Sequence, residues 1–247
     1  MRQASSDPSS PSDRGALLAA TISGLLYVVG AFVPQVDGPP VETASADQIR
    51  AFLAAHDSEL RILATTSAIA IPLVLVFTVS IARLIRTRTP SSALADLVVG
   101  GGVLVALWHW LVVAGTSMTL VQTLDGTDLA TVNDATLRGW YGLSNFTHFF
   151  ADLGMAGIAT VIAATSIAVL RTGLFARWQG WLGLVIAAGG ALGTAGITSA
   201  WSPLSQVWFI GIFGWWLWVL IVAAGCGLRL WRNAVRNAPV HPRSATA

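Results

Sequence analysis

The chain has 247 residues, of which 54% are hydrophobic and only 11% are charged, with a formal net charge of +2. A water-soluble domain rarely combines so many apolar residues with so few charges, so an ordinary soluble enzyme or nucleic-acid-binding domain is excluded. All 14 basic residues are Arg, which excludes retinal or pyridoxal phosphate bound through a lysine and the lysine of a phosphate-binding loop. The single cysteine, Cys226, excludes an intrachain disulfide.

Apolar segments predict the fold in chain order. Residues 1–15, rich in Ser, Pro and Asp, are predicted to form a disordered cytoplasmic tail. Six apolar segments follow, and each is long enough to cross a bilayer as a helix. Their approximate bounds are 16–34, 61–83, 96–121, 143–170, 179–199 and 207–229, within one transmembrane domain of residues 16–232. Residues 233–247 are predicted to form a second cytoplasmic tail, so the fold class is an all-α, polytopic membrane helical bundle.

The fifth and sixth spans are cut from one long apolar run. This run extends over 51 residues, from Trp178 to Leu228, and contains no charged side chain and no histidine. The first apolar segment is predicted to be an uncleaved membrane span and not a secretory signal. The sequence Val33-Pro34-Gln35 near its end lacks the small-x-small pattern at which signals are cleaved.

The arginines predict the orientation of the spans. Eleven of the 14 flank one side of the predicted bilayer, and only Arg50, Arg61 and Arg138 lie on the other. Because positive charges are concentrated in cytoplasmic loops, both termini are expected in the cytoplasm. The predicted location is the bacterial plasma membrane, crossed several times.

The first outer loop is predicted to contain a short amphipathic helix. Ser45 and Gln48 have the spacing of a capping box, and Ile49, Phe52 and Leu53 form an apolar stripe on one face. The helix is expected to lie on the outer surface.

Ionisable residues within the spans are the main candidates for a site, because burying a charge in the bilayer is costly. His109 lies in the third span, and Asn145, His148 and Asp152 share one face of the fourth at helical spacing. The rise per residue puts His109 and Asp152 at comparable depths, so these two could meet. The cluster is consistent with a polar clasp between helices or with a ligand or proton relay. A metal or haem site fits the depths and ligand spacing poorly, so no cofactor is expected.

Tryptophans provide a second candidate site. Five of them lie deep in predicted spans and could line an aromatic pocket for a lipid tail, a quinone or a similar apolar ligand. They are Trp108, Trp110, Trp215, Trp216 and Trp218.

Three sequence patterns suggest a family. They are Ser23-Gly24-Leu25-Leu26-Tyr27, the predicted helix of residues 46–61, and the run from Arg171 to Trp178 that leads into Gly180-Trp181-Leu182-Gly183-Leu184. Together they resemble the six-span membrane proteins of unknown function from high-GC Gram-positive bacteria. The resemblance covers most of residues 16–232 and implies location and fold, but no activity.

The sequence therefore predicts a non-enzymatic integral membrane protein whose partner is the lipid bilayer. It would serve as a structural or interaction component or bind a small apolar ligand. The alternative is a proton-coupled carrier of small molecules that uses the His and Asp cluster.

Overall fold

The computed structural model describes residues 11–31, 43–124, 129–149, 151–198 and 207–237. Within these ranges, the side chains of 11, 12, 31, 114–124, 144–149, 151–153, 196–198 and 208 lie outside the description. The described residues form helices and no strands, which confirms the all-α class. The helices are α1 (Pro11–Ala31), α2 (Ala46–Ala55), α3 (Asp57–Arg88), α4 (Ala93–Leu124), α5 (Asp134–Phe149), α6 (Ala151–Thr172), α7 (Arg177–Thr198) and α8 (Trp208–Arg236), with a 3₁₀ turn at Leu129–Thr131.

Four helices in the described part of the chain are long and apolar enough to cross a membrane. Among the described residues these candidate spans are Asp57–Arg88, Ala93–Val113, Gly154–Thr172 and Phe209–Arg236. The other two predicted spans fall on α1 and α7. Large apolar side chains also face outward, including Val29 (71% exposed) and Val185 (67% exposed). Helices that are apolar on their outer as well as their inner faces are typical of membrane domains.

The helix bounds differ from the sequence prediction at two places. Helix α1 begins at Pro11, so residues 11–15 of the predicted disordered tail are helical. Helix α8 continues to Arg236, beyond the predicted domain boundary at residue 232. The predicted fourth span covers the end of α5 and most of α6, and residue 150 between them lies outside the described residues. Tail residues 1–10 and 238–247 and residues 32–34 of the first predicted span are also outside them.

Neighbouring helices run in opposite directions. In each of five helix pairs, residues that come later in one helix contact residues that come earlier in the other. The contacts are Thr78 with Gly102 and Arg86 with Asp96 (α3 and α4), Gly101 with Val161 and Trp108 with Gly154 (α4 and α6), Leu170 with Gly180 and Ser166 with Gly183 (α6 and α7), Ile186 with Gly214 and Gly189 with Ile210 (α7 and α8), and Gly24 with Ala223 and Thr21 with Gly227 (α1 and α8). Helices α1, α4 and α7 therefore run one way and α3, α6 and α8 the other. The start of α1 and the end of α8 lie at the same end of the bundle.

The main core lies between α1, α3, α4, α6, α7 and α8. Its largest fully buried side chains include Phe77, Ile158, Ile162, Trp215 and Trp218. Helices α1 and α8 approach each other closely at Gly24, where an added Cβ would lie 2.9 Å from the Cβ of Ala223. Small residues permit such contact in membrane bundles, where helices associate largely through van der Waals packing.

A second buried cluster joins α2 to α5 at the end of the bundle opposite the start of α1 and the end of α8. Ser45 and Gln48 form both hydrogen bonds of a capping box at the start of α2. Buried apolar residues from the two helices and their flanking turns pack together. They are Ala44, Ala46, Ile49, Leu53, Val132, Leu137 and Tyr141. We call this the α2–α5 cluster.

Arg50 connects the two halves of the α2–α5 cluster. Its guanidinium donates hydrogen bonds to the carbonyl oxygens of Leu129 (3.1 Å) and Val132 (2.7 Å) and to the carboxylates of Asp134 (2.7 Å) and Asp47 (3.0 Å). The hydrogen bond with Asp134 is the largest of the effects that raise the pKa of Arg50 above its usual value. The planar fork of arginine suits this number of acceptors.

Candidate functional site

A chain of buried hydrogen bonds crosses the middle of the bundle. The indole N–H of Trp215 on α8 donates to the hydroxyl oxygen of Tyr27 on α1 at 2.9 Å. The same hydroxyl lies 2.9 Å from Nε2 of His109 on α4. Tyr27 is 3% exposed and Trp215 is fully buried. We call these three side chains the Tyr27 triad.

The direction of the hydrogen bonds in the Tyr27 triad follows from its chemistry. Tryptophan can only donate, so the hydroxyl oxygen of Tyr27 accepts from Trp215. The hydroxyl proton of Tyr27 is then free to donate to Nε2 of His109. This arrangement assigns the ring proton of His109 to Nδ1, an assignment that rests on the hydrogen-bond network. The two hydrogen bonds of the triad therefore link three helices, α1, α4 and α8.

Aromatic packing and a close helix approach hold the triad in place. The Trp215 ring lies edge-on to Tyr27 with centroids 6.0 Å apart and stacks on Trp218 at 6.0 Å. Gly24, one turn before Tyr27, lets α1 approach the Phe77 ring, which an added Cβ would meet at 3.0 Å. The same glycine lets α1 approach Ala223 of α8, and this close approach brings the Tyr27 hydroxyl within reach of α8.

Trp108 covers the other side of His109. The two rings are stacked with centroids 4.7 Å apart. The Trp108 indole rests against Gly154 of α6, where an added Cβ would lie 2.6 Å from the ring. The indole Nε1 is buried without a hydrogen-bond partner in the described part of the chain. Gly154 lies two residues after Asp152, so the backbone near Asp152 is close to the turn of α4 that carries His109.

The other residues of the predicted polar cluster lie on both sides of residue 150, which is outside the described residues. Asn145 and His148 lie on α5, Asp152 lies on α6, and the side chains of all three are outside the described residues. The predicted meeting of His109 and Asp152 therefore stays a prediction. Sequence reasoning missed Tyr27 as the partner of His109. The available signal was a tyrosine within an apolar segment, since a buried tyrosine hydroxyl usually has a partner.

The five predicted pocket tryptophans lie in different surroundings. Trp215 and Trp218 are part of the packed core beside Phe77. Trp108 contacts His109, whereas Trp216 lies edge-on to Phe213 with centroids 5.4 Å apart. Trp110 is 56% exposed on the surface of α4. Only Trp215 and Trp218 are in direct ring contact with each other among these five.

An apolar groove of about 330 Å³ lies between α1 and α3. Its walls include Leu18, Ala19 and Ile22 from α1 and Pro72, Leu73 and Val76 from α3. The hydroxyl of Ser23, which also lines the groove, donates to the carbonyl oxygen of Ala19 at 2.6 Å. The groove therefore offers hydrocarbon surface with its one side-chain hydroxyl already paired. We call it the α1–α3 groove.

The described residues contain no group of three or more His, Cys, Asp or Glu side chains that could hold a metal ion. Over the residues that the structure describes, the fold is all-helical and four helices are long and apolar enough to cross a membrane, which defines the class as a helical protein suited to a membrane. No family model, curated protein or solved structure matches the chain.

Proposed function

We propose that the chain is a six-span integral protein of the bacterial plasma membrane with both termini in the cytoplasm. Helices α1 and α7 supply the two spans beyond the four candidates. The alternating directions of the six long helices support this topology, because an even number of spans returns the chain to its starting side. Arg14 at the start of α1, Arg88 at the end of α3 and Arg236 at the end of α8 share one end of the bundle, as cytoplasmic charges do.

The proposed role is non-enzymatic binding of a small apolar ligand. The observation that carries this proposal is the α1–α3 groove, whose walls expose apolar side chains and whose one hydroxyl is paired. Ligand sites are mostly apolar concavities of a few hundred cubic ångströms. The Tyr27 triad supports the role indirectly, because it clasps α1 to the rest of the bundle and so fixes one wall of the groove.

Filling the groove tests the proposal. Ala19→Trp would occupy the space between the two walls, while Val29→Trp adds the same side chain on the exposed outer face of α1. Native mass spectra of protein purified in mild detergent should show a retained apolar molecule in the wild type and in Val29→Trp, and none in Ala19→Trp. Equal retention by both variants would contradict groove binding.

A proton-coupled carrier is the second candidate, favoured by the burial of an imidazole in a hydrogen-bonded chain across three helices. In this alternative His109 would work with Asn145, His148 and Asp152 as a relay. Asp152→Asn should then abolish proton flux into proteoliposomes, read with a trapped pH dye, without lowering membrane abundance. Equal loss of flux and abundance would instead favour a clasp.

A further inference from the structure

The α1–α3 groove continues along both helices towards an arginine. On α3, Pro72, Val76, Val79 and Arg83 follow one another at spacings of four, three and four residues, so they share one face. All four are exposed. The apolar face of α3 therefore ends in a positive charge.

Helix α1 repeats this arrangement on the other wall. Arg14, Leu18 and Ile22 lie four residues apart on one exposed face. Because α1 and α3 run in opposite directions, the start of α1 and the end of α3 lie at the same end of the bundle. The apolar faces of both walls thus lead to arginines at one end.

These two arginines are available for an external anion. Within the described residues neither Arg14 nor Arg83 has an ion-pair or hydrogen-bond partner, whereas Arg86 on the same turn of α3 is paired with Asp96 at 2.6 Å. Asp13 precedes Arg14, but it is half-buried with Oδ1 enclosed, while Arg14 is exposed. The outward charge at this end is therefore positive.

The length of the apolar face fits one leaflet. Eleven residues separate Pro72 from Arg83, which makes about 16 Å at the helical rise. The hydrocarbon of one leaflet is about 15 Å thick, half of the bilayer core. An acyl chain that starts at Arg83 and lies along this face reaches the bilayer midplane near Pro72, so the face that leads from the arginine into the groove has the length of a single acyl chain.

We propose that the α1–α3 groove binds an anionic phospholipid, with an acyl chain along the groove and the phosphate headgroup at Arg14 and Arg83. This proposal rests on the proposed function and names its ligand class. The apolar walls select the hydrocarbon tail, and the two unpaired arginines select the negative headgroup. Basic residues near the membrane surface each contribute to the attraction of anionic lipids.

Lipid competition measured by native mass spectrometry tests the proposal. The full-length protein is equilibrated in mild detergent with equal amounts of phosphatidylglycerol and phosphatidylcholine that carry the same acyl chains. The wild type should retain about ten times as much phosphatidylglycerol as phosphatidylcholine. The variant R14Q/R83Q should lose this preference and still retain lipid. The control R171Q/R177Q removes the same charge at the same end of the bundle and should keep the preference.

Each other outcome separates this proposal from the proposed function. Equal retention of the two lipids by the wild type overturns the anionic headgroup while groove binding stands. Displacement of the bound lipid by inorganic phosphate overturns the phospholipid proposal in favour of a site for a soluble anion. A dimer that disappears in Ala19→Trp overturns it in favour of a second copy of this chain. If Ala19→Trp retains as much lipid as the wild type, the groove is not the lipid site, and the proposed function is contradicted as well.

Discussion

The contact between α4 and α6 provides a sharp test of packing, because two neighbouring glycines on α4 have opposite surroundings. A Cβ added at Gly101 would lie 2.8 Å from the carbonyl oxygen of Gly157 and 2.9 Å from Cγ2 of Val161. A carbon normally approaches a carbonyl oxygen to about 3.3 to 3.6 Å. At Gly100, in contrast, nothing lies within 4 Å of the added atom. Gly101→Ala should therefore force the helices apart, whereas Gly100→Ala should not.

The expected free energies of unfolding follow from two opposing effects. Alanine is favoured over glycine in a helix by about 0.5 to 1 kcal/mol, which applies at both positions. Overpacking costs about 1 to 3 kcal/mol and applies only at Gly101. We therefore expect Gly101→Ala to lower the stability by up to about 2.5 kcal/mol and Gly100→Ala to raise it by about 0.5 to 1 kcal/mol.

Thermal unfolding followed by circular dichroism measures the difference. Both variants and the wild type are heated in the same detergent at one scan rate, since unfolding of such proteins is often irreversible. For a chain of this size about 1 kcal/mol corresponds to about 2 to 4 °C, so Gly101→Ala should melt up to about 10 °C lower than the wild type. A melting temperature at or above that of Gly100→Ala would refute the close contact.

Two further predictions concern polar contacts. Tyr27→Phe leaves the Trp215 indole and Nε2 of His109 without their partner, so we expect a loss of about 0.6 to 1.7 kcal/mol in equilibrium unfolding. Its combination with His109→Leu should cost less than the sum of the single changes, and simple additivity would show that the Tyr27 triad is not coupled. Arg50→Lys keeps the positive charge but loses the fork that serves four acceptors, so hydrogen exchange in α2 and α5 should accelerate while exchange in α8 stays unchanged. Exchange as slow as in the wild type would mean that Arg50 does not hold the α2–α5 cluster together.

Local patterns in the sequence were enough to predict much of the fold. The apolar segments predicted helices, and the described residues are all-helical. The capping box at Ser45 and Gln48 is present because both of its hydrogen bonds join residues three apart. Helix ends were less predictable: Pro11 starts a helix within a polar segment, where proline is well tolerated in the first turn.

The candidate site was only partly predictable. His109 was selected from its position in an apolar segment, and the structure gives it a buried partner. That partner is Tyr27, 82 residues away, whereas the predicted meeting with Asp152 stays a prediction. The five tryptophans were grouped by their predicted depth in the membrane. In the structure they lie on different faces of their helices, so Trp110 faces outward while Trp215 is buried. Depth along the axis is readable from a sequence, whereas the orientation of one helix towards another is not.

By itself, the sequence determined that the chain forms long apolar helices, because hydrophobicity and helix length depend on residues near one another in the chain. Only the tertiary structure decided which helices pack together, since that choice depends on shape. Gly24, Gly101 and Gly154 let particular helix pairs approach, and these approaches assemble the Tyr27 triad. The α1–α3 groove has the same origin, because its two walls come from helices whose separation and relative rotation are set by packing across the whole bundle.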